Sequence, residues 1–293
     1  MKTVSARFGL STHLFHGVRL DRSHLESIAR GGFSGVEIFA TRTHVDYHDA
    51  LRIAELRSWL NELGIEPWSM HLPICDGFSH GVWGRAYSNA SADGTARREA
   101  VDETVQAIAA ARDLGCRAAV LHLGLPYGQP IPANDNDAAA VQRSLEPIAD
   151  ACASAGLQLA LEVIPNPLAG AGAILDWLTG DLELGDTAAC VDIGHAHLTG
   201  GAPDAIEVLS GYIATTHIHD NRGKTDDHLV PFDGTIDWVA TMTEFSKVGY
   251  AGPLVFEVPD HGDASGTLDR IVAARGRIQA ILEDLELPFA FEE

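Results

Sequence analysis

Six ionisable side chains, His71, His122, Glu162, Asp192, His217 and Glu257, each stand where a short apolar run gives out. The runs are of the type Arg117-Ala-Ala-Val-Leu or Pro253-Leu-Val-Phe, and they lie far apart in the chain. Taken singly, a buried histidine is a satisfied core residue and an aspartate at a strand end caps the next helix. Brought together, imidazoles and carboxylates in one buried place need a compensating charge, and a divalent cation supplies it. Flanking spacings extend the set. Asp192-Ile-Gly-His195 puts an imidazole three residues beyond a carboxylate, and Asp226-Asp-His228 offers both donor types two apart. His197, His219 and Asp227 are near enough in sequence to contact those ligands or a substrate. Mixed nitrogen and oxygen donors suit Zn²⁺, Mn²⁺, Co²⁺ or Fe²⁺ better than Ca²⁺.

Residues so distant need a scaffold that gathers strand ends, and a repeated unit provides it. Gly64 ends a helix-period stretch with Ile53, Leu56, Leu60 and Leu63 on one face, and Ile65-Glu-Pro-Trp-Ser-Met follows as a strand. Gly115, Gly156 and Gly249 punctuate in the same way before the runs that close on His122, Glu162 and Glu257. Glycine adopts the left-handed conformation that stops a helix, and an apolar run after it suits a strand buried on both faces. Repetition of helix, glycine and strand implies parallel strands with crossover helices. Strands ending near Ser11, Ala40, His71, Leu123, Ile164, Ile193, His219 and Val258 make eight, enough to close a single α/β (β/α)₈ TIM barrel, with a doubly wound sheet as the alternative that periodicity alone leaves open. No low-complexity linker divides the chain, so residues 1–293 are read as one domain. Two long loops, residues 72–95 and 220–235, leave C-terminal strand ends, where barrel enzymes place lids and specificity loops.

Composition narrows the function. The formal net charge is −21, and only Arg97-Arg98 among the basic residues are adjacent, which argues against a nucleic-acid partner. No apolar run is long enough to span a bilayer. The start, Met1-Lys-Thr-Val-Ser-Ala-Arg-Phe, lacks the apolar core of an export signal, so a cytoplasmic protein is expected. Cys75, Cys116, Cys152 and Cys190 have no C-x-x-C spacing and read as reduced core thiols. Asn134-Asp-Asn-Asp137 lacks the glycine and distal glutamate of a calcium loop and reads as a helix cap. Thr41-Arg-Thr-His-Val-Asp-Tyr-His48 is either a capping loop or a substrate contact on the barrel rim. Gly262-Asp-Ala-Ser-Gly266 carries an acidic residue where a phosphate cradle would want none, so an unphosphorylated sugar or polyol is preferred.

The stretch Thr216-His-Ile-His-Asp-Asn-Arg-Gly-Lys-Thr-Asp-Asp-His-Leu-Val-Pro-Phe-Asp-Gly-Thr-Ile-Asp-Trp238 resembles the H-x-H-D-N…D-D-H-L…G-x-I-D-W signature of sugar isomerases and epimerases. With the strand-end set, the whole chain resembles the xylose isomerase-like TIM-barrel superfamily, which also includes the metal-dependent apurinic-site endonucleases. The resemblance to the epimerases implies one divalent metal (Mn²⁺, Co²⁺, Zn²⁺ or Mg²⁺) on Glu162, Asp192, His217 and Glu257. It implies that Glu162 and Glu257 carry the proton transfer and that His195 contacts substrate. His71, His122, His219, Arg222 and His228 are further substrate-binding candidates. The resemblance to the endonucleases implies instead that His71, His122, His195, Asp226 and His228 hold additional metals.

The expected activity is therefore a metal-dependent sugar isomerase or epimerase acting on a carbohydrate through an enediolate. A dehydratase or lyase would share the first step, and an endonuclease-like phosphodiesterase would need all three metals. A sugar-binding barrel without catalysis ranks last, because both glutamates are present. A homo-oligomer is left open.

Overall fold

The computed structural model describes residues 7–127 and 135–285. The reading of the first residues as lacking an export signal falls largely outside them, as does Asn134. Among the described residues ten strands appear in chain order: β1 (Phe8–Ser11), β2 (Gly35–Phe39), β3 (Glu66–His71), β4 (Phe78–Ser79), β5 (Val82–Trp83), β6 (Ala118–Leu121), β7 (Gln158–Glu162), β8 (Ala188–Asp192), β9 (Ile213–Ile218) and β10 (Leu254–Phe256). Eight of them close a parallel barrel in the order β1-β2-β3-β6-β7-β8-β9-β10, with β10 returning to β1. The remaining two, β4 and β5, form an antiparallel hairpin inside the long loop after β3.

The helices between the strands are α1 (Arg22–Arg30), α2 (Ala50–Leu63), α3 (Gly94–Leu114), α4 (Ala138–Ala155), α5 (Ala171–Thr179), α6 (Ile193–Thr199), α7 (Ala202–Val208), α8 (Trp238–Lys247) and α9 (Ala264–Asp284). Their ends follow from local chemistry. Gly64, Gly115 and Gly156 stop α2, α3 and α4 in the left-handed conformation, with φ of 66°, 88° and 71°. Aspartates start most of them: Asp21, Asp49, Asp93, Asp137, Asp192, Asp237 and Asp263 each accept hydrogen bonds from the first-turn amides. Part of the large negative charge thus sits at helix N-termini, where the macrodipole favours it. Asp137 caps α4 as expected, and Asn136 bonds both backbone polar groups of Leu125. All four cysteines are buried free thiols. Among the described residues no helix is long and apolar enough to cross a membrane.

Strand C-termini point to one end of the barrel, and the opposite end is plugged by Trp68. Its indole lies across β1 and β2 at Gly9 and Gly35, and a Cβ built on Gly35 would stand 2.0 Å from Trp68 Cε2. Gly35→Ala is therefore expected to destabilise the barrel by about 3 kcal/mol, the upper range for overpacking. The urea midpoint measures it, and an unchanged midpoint would mean that the plug moves freely.

Candidate metal centre

The ionisable strand ends converge. His71 and Glu162 are the last residues of β3 and β7, Asp192 ends β8, and His217 is one residue short of the end of β9. His122 and Glu257 directly follow β6 and β10. Among the described residues four groups of donor atoms form, each with its members within 4.8 Å of one another: His71, His122 and Glu162; Glu162, Asp192, His217 and Glu257; His195, His219, Asp226 and His228; and His13, His228 and Glu257. Glu162, Glu257 and His228 each belong to two of them.

Ring orientation tells which nitrogen of each histidine is free. His71 donates from Nδ1 to the Leu72 carbonyl at 2.9 Å, because a carbonyl can only accept. His195 does the same to Val163 at 3.1 Å, and His228 to the main chain of Glu257 at 3.1 Å. His217 meets a carboxylate on each side, Glu37 at Nε2 and Glu162 at Nδ1, both at 3.1 Å, so an ion on the Nδ1 side leaves its proton on Nε2 for Glu37. In a neutral imidazole the other nitrogen is then a bare lone pair. Those bare nitrogens all face carboxylate oxygens: His71 Nε2 is 3.2 Å from Glu162, and His217 Nδ1 is 3.1 Å from Glu162. His195 Nε2 and His228 Nε2 are 3.0 and 3.1 Å from Asp226.

Acceptor facing acceptor in a buried place is repulsive unless a proton or a cation lies between. Glu162 Oε2 shows the strain of the arrangement: the imidazoles of His71 and His122 lie 3.2 and 3.0 Å away, yet the atom has no hydrogen bond. With no cation, protons fill the role. Burial would lower the basicity of His71 and His228, but neighbouring carboxylates raise both to about 9. His195 and His217 are pushed well above the usual value against the same burial, by Asp192 and Asp226 and by Glu257, Glu37 and Glu162. Glu162 is held well below the usual carboxylate range, since His122 and His217 outweigh its burial. The donor set fits a divalent transition ion, which can replace these protons.

Above this centre opens a cleft of about 1010 Å³. His71, His122, His195, Asp226, His228 and Glu257 line it, whereas Glu162, Asp192 and His217 lie beneath. His219 is fully buried and donates from Nε2 to Asp192 at 3.0 Å, so it braces a carboxylate and does not reach the cleft. Asp227 lines the cleft, and His197 is turned away onto Thr235. The structure does not bring Arg222 in: its side chain is 62% exposed, 3.9 Å from Asp227 and outside the lining. A guanidinium in a polar loop keeps its hydration by staying exposed. The rim stretch is also absent from the lining. His44 bonds the Val18 carbonyl, and Tyr47 and His48 bond Glu103, so these residues brace loops.

Several lining or bracing residues escape a reading of strand ends. Glu37 is a lone charge inside Gly35-Val-Glu-Ile-Phe39, and that isolation in an apolar strand was its one signal. His13 and His16 follow β1 on a 3₁₀ turn, and His16 stacks on Trp83 of the β4–β5 hairpin with ring centroids 5.0 Å apart. Burial and the nearby imidazoles of His16, His228 and His71 keep His13 neutral. Asp220 organises the loop that carries Asp226 and His228, accepting from the amides of Phe232 and Ile236 and from the Trp238 indole.

Comparison with known proteins adds the relatives. The sequence model of the xylose isomerase-like TIM barrel family matches residues 25–285. An uncharacterized protein of Methanocaldococcus jannaschii is 26% identical over 273 residues, covering 89% of this chain and 86% of that protein. The crystal structure of a D-tagatose 3-epimerase-like protein superposes with a TM-score of 0.76 at 22% identity, covering 96% of this chain and 99% of the other. That of an L-ribulose 3-epimerase gives 0.74 at 21% identity over 96% of each chain.

Proposed function

We propose, from the premise that this chain belongs to the xylose isomerase-like TIM barrel family, that it is a divalent-metal-dependent sugar isomerase or epimerase, one barrel domain over residues 1–293. The observation that carries this reading is the set of pinned imidazoles whose bare nitrogens face Glu162 and Asp226 at the floor of an open cleft. Glu162, Asp192, His217 and Glu257 would hold the ion. When bound, it supplies a fixed positive charge that lowers the cost of negative charge on neighbouring substrate oxygens. Relatives named as 3-epimerases support a ketose as substrate.

The chain's own groups then divide the work. Glu257 lines the cleft and can take a proton from carbon and pass it to water, while Glu162, on the buried side, would return a different proton, taken up from a neighbouring imidazolium such as His122. His122, His195 and His228 are placed to hold substrate hydroxyls, and the wall of Phe39, Phe78 and Trp83 excludes water. Among the described lining residues the arginine is Arg85, and it is committed to Glu99. The described lining holds no lysine and no uncommitted arginine to meet a phosphate, which supports an unphosphorylated carbohydrate as substrate. A dehydratase would use the same proton removal and then expel a β-hydroxyl. One observation favours a second reading, hydrolysis of a phosphodiester: the donors form four overlapping groups, enough for a metal cluster.

The test is solvent deuterium uptake at carbon, followed by NMR with Mn²⁺- or Co²⁺-loaded protein. Free ketoses and inositol derivatives are compared with their phosphates, and cleavage of a duplex with an abasic site is assayed alongside. Uptake into an unphosphorylated ketose is expected. Duplex cleavage without any uptake would replace the proposal with the hydrolytic reading.

A further inference from the structure

Glu37 is a fully buried carboxylate on β2, and it touches no part of the cleft. A buried carboxylate is costly unless its interactions require it. Its partners are specific: Ser69 Oγ donates to Oε2 at 2.8 Å, and His217 Nε2 donates to the same oxygen at 3.1 Å. The opposite nitrogen of His217, Nδ1, faces Glu162, Asp192 and Glu257 at 3.1, 3.7 and 3.4 Å. His71, His195 and His228 are oriented by neutral main-chain carbonyls. His217 is the member of this quartet oriented by a charged group.

We propose that Glu37 is a positioning residue for the metal, acting through His217. It rests on the reading that a divalent ion sits at this centre. The carboxylate of Glu162 faces Nδ1 at the same 3.1 Å, so the two sides compete for the ring proton; Glu37, with no proton to give, holds it on Nε2 once an ion takes the lone pair at Nδ1. Its charge also draws the Nε2 proton toward itself and makes Nδ1 a stronger donor than a carbonyl-oriented imidazole. Strand β2 is paired on both sides, by β1 and β3, so the carboxylate is held by the barrel itself. In Glu37→Gln the amide NH₂ can turn to Nε2, which moves the ring proton to Nδ1 and blocks the donor atom.

The test loads the parent, Glu37→Gln and Ser69→Ala with Co²⁺ and titrates each with a chelator, following the visible bands of the bound ion. Glu37→Gln should lose Co²⁺ at roughly 10–100-fold lower chelator strength, with shifted bands, and Ser69→Ala should weaken binding by about threefold or more. In a His217→Gln background, Glu37→Gln should add nothing, because its effect passes through the missing ring. Parent-like Co²⁺ affinity and spectrum in Glu37→Gln would overturn the proposal, as would an undiminished effect in the His217→Gln background. If Glu37→Gln fails to fold, Ser69→Ala decides: weakened binding supports the role and unchanged binding overturns it. A parent that binds no Co²⁺ refutes the metal reading itself, a distinct outcome.

Discussion

Replacing Glu257 by glutamine is expected to lower deuterium uptake at the substrate carbon by about 10²–10⁴-fold, the usual contribution of a positioned acid or base. The amide keeps the shape of the side chain and removes the group that accepts the proton. Because Glu257 lines the cleft and lies 3.4 Å from His217 Nδ1, metal content should fall less than activity. Glu162→Gln should lose both. Its carboxylate stands within 3.5 Å of His71, His122, His195 and His217, so an amide leaves several bare nitrogens without an anion to complete the site. Measuring uptake and bound Co²⁺ on the same samples separates the two variants. Near-parent uptake in either one means that the proton is handled elsewhere.

Removing the metal should cost stability, and more of it as the pH rises. In the metal-free protein His71 and His228 have affinities for protons raised from 6.5 to about 9. Raised values mean that the imidazolium–carboxylate contacts stabilise the fold fully below about 6.5 and lose that contribution as pH climbs through about 9. A bound cation takes the place of those protons, so the loaded protein lacks this decline and binding releases protons. The melting gap between loaded and chelated protein should therefore widen from pH 6.5 to 8.5. At free metal about 100 times the dissociation constant, mass action gives about 2.7 kcal/mol. For a chain of this size that is on the order of 5 °C or more in Tm. Thermal melts with Mn²⁺, Co²⁺ or Zn²⁺ restored after chelation measure it. No metal in the purified protein and no shift on addition at either pH would remove the centre from consideration.

How much of this was written locally in the chain follows from the range of each interaction. Helix stops at Gly64, Gly115 and Gly156 depend on one residue's φ and the turn before it, so they could be read directly. Counting strands gave the barrel, and a barrel puts every strand's C-terminal end at one mouth; the candidate donors His71, His122, Glu162, Asp192, His217 and Glu257 were therefore visible from their positions alone. Loop direction was not visible. Arg222 is a candidate through the resemblance and the 41–48 stretch through its place on the rim after β2, but their side chains contact Asp227, Val18 and Glu103 instead. His219 is two residues from His217 and past the end of β9, where the turn carries its ring behind Asp192. Glu37 meets His217 across 180 residues, a pairing made only when β2 and β9 face each other through the closed barrel. Residue type and strand period determined which groups could do chemistry. Barrel closure decided which nitrogen of each imidazole is bare, because hydrogen-bond direction depends on atoms that only the tertiary structure brings within 3 Å or so.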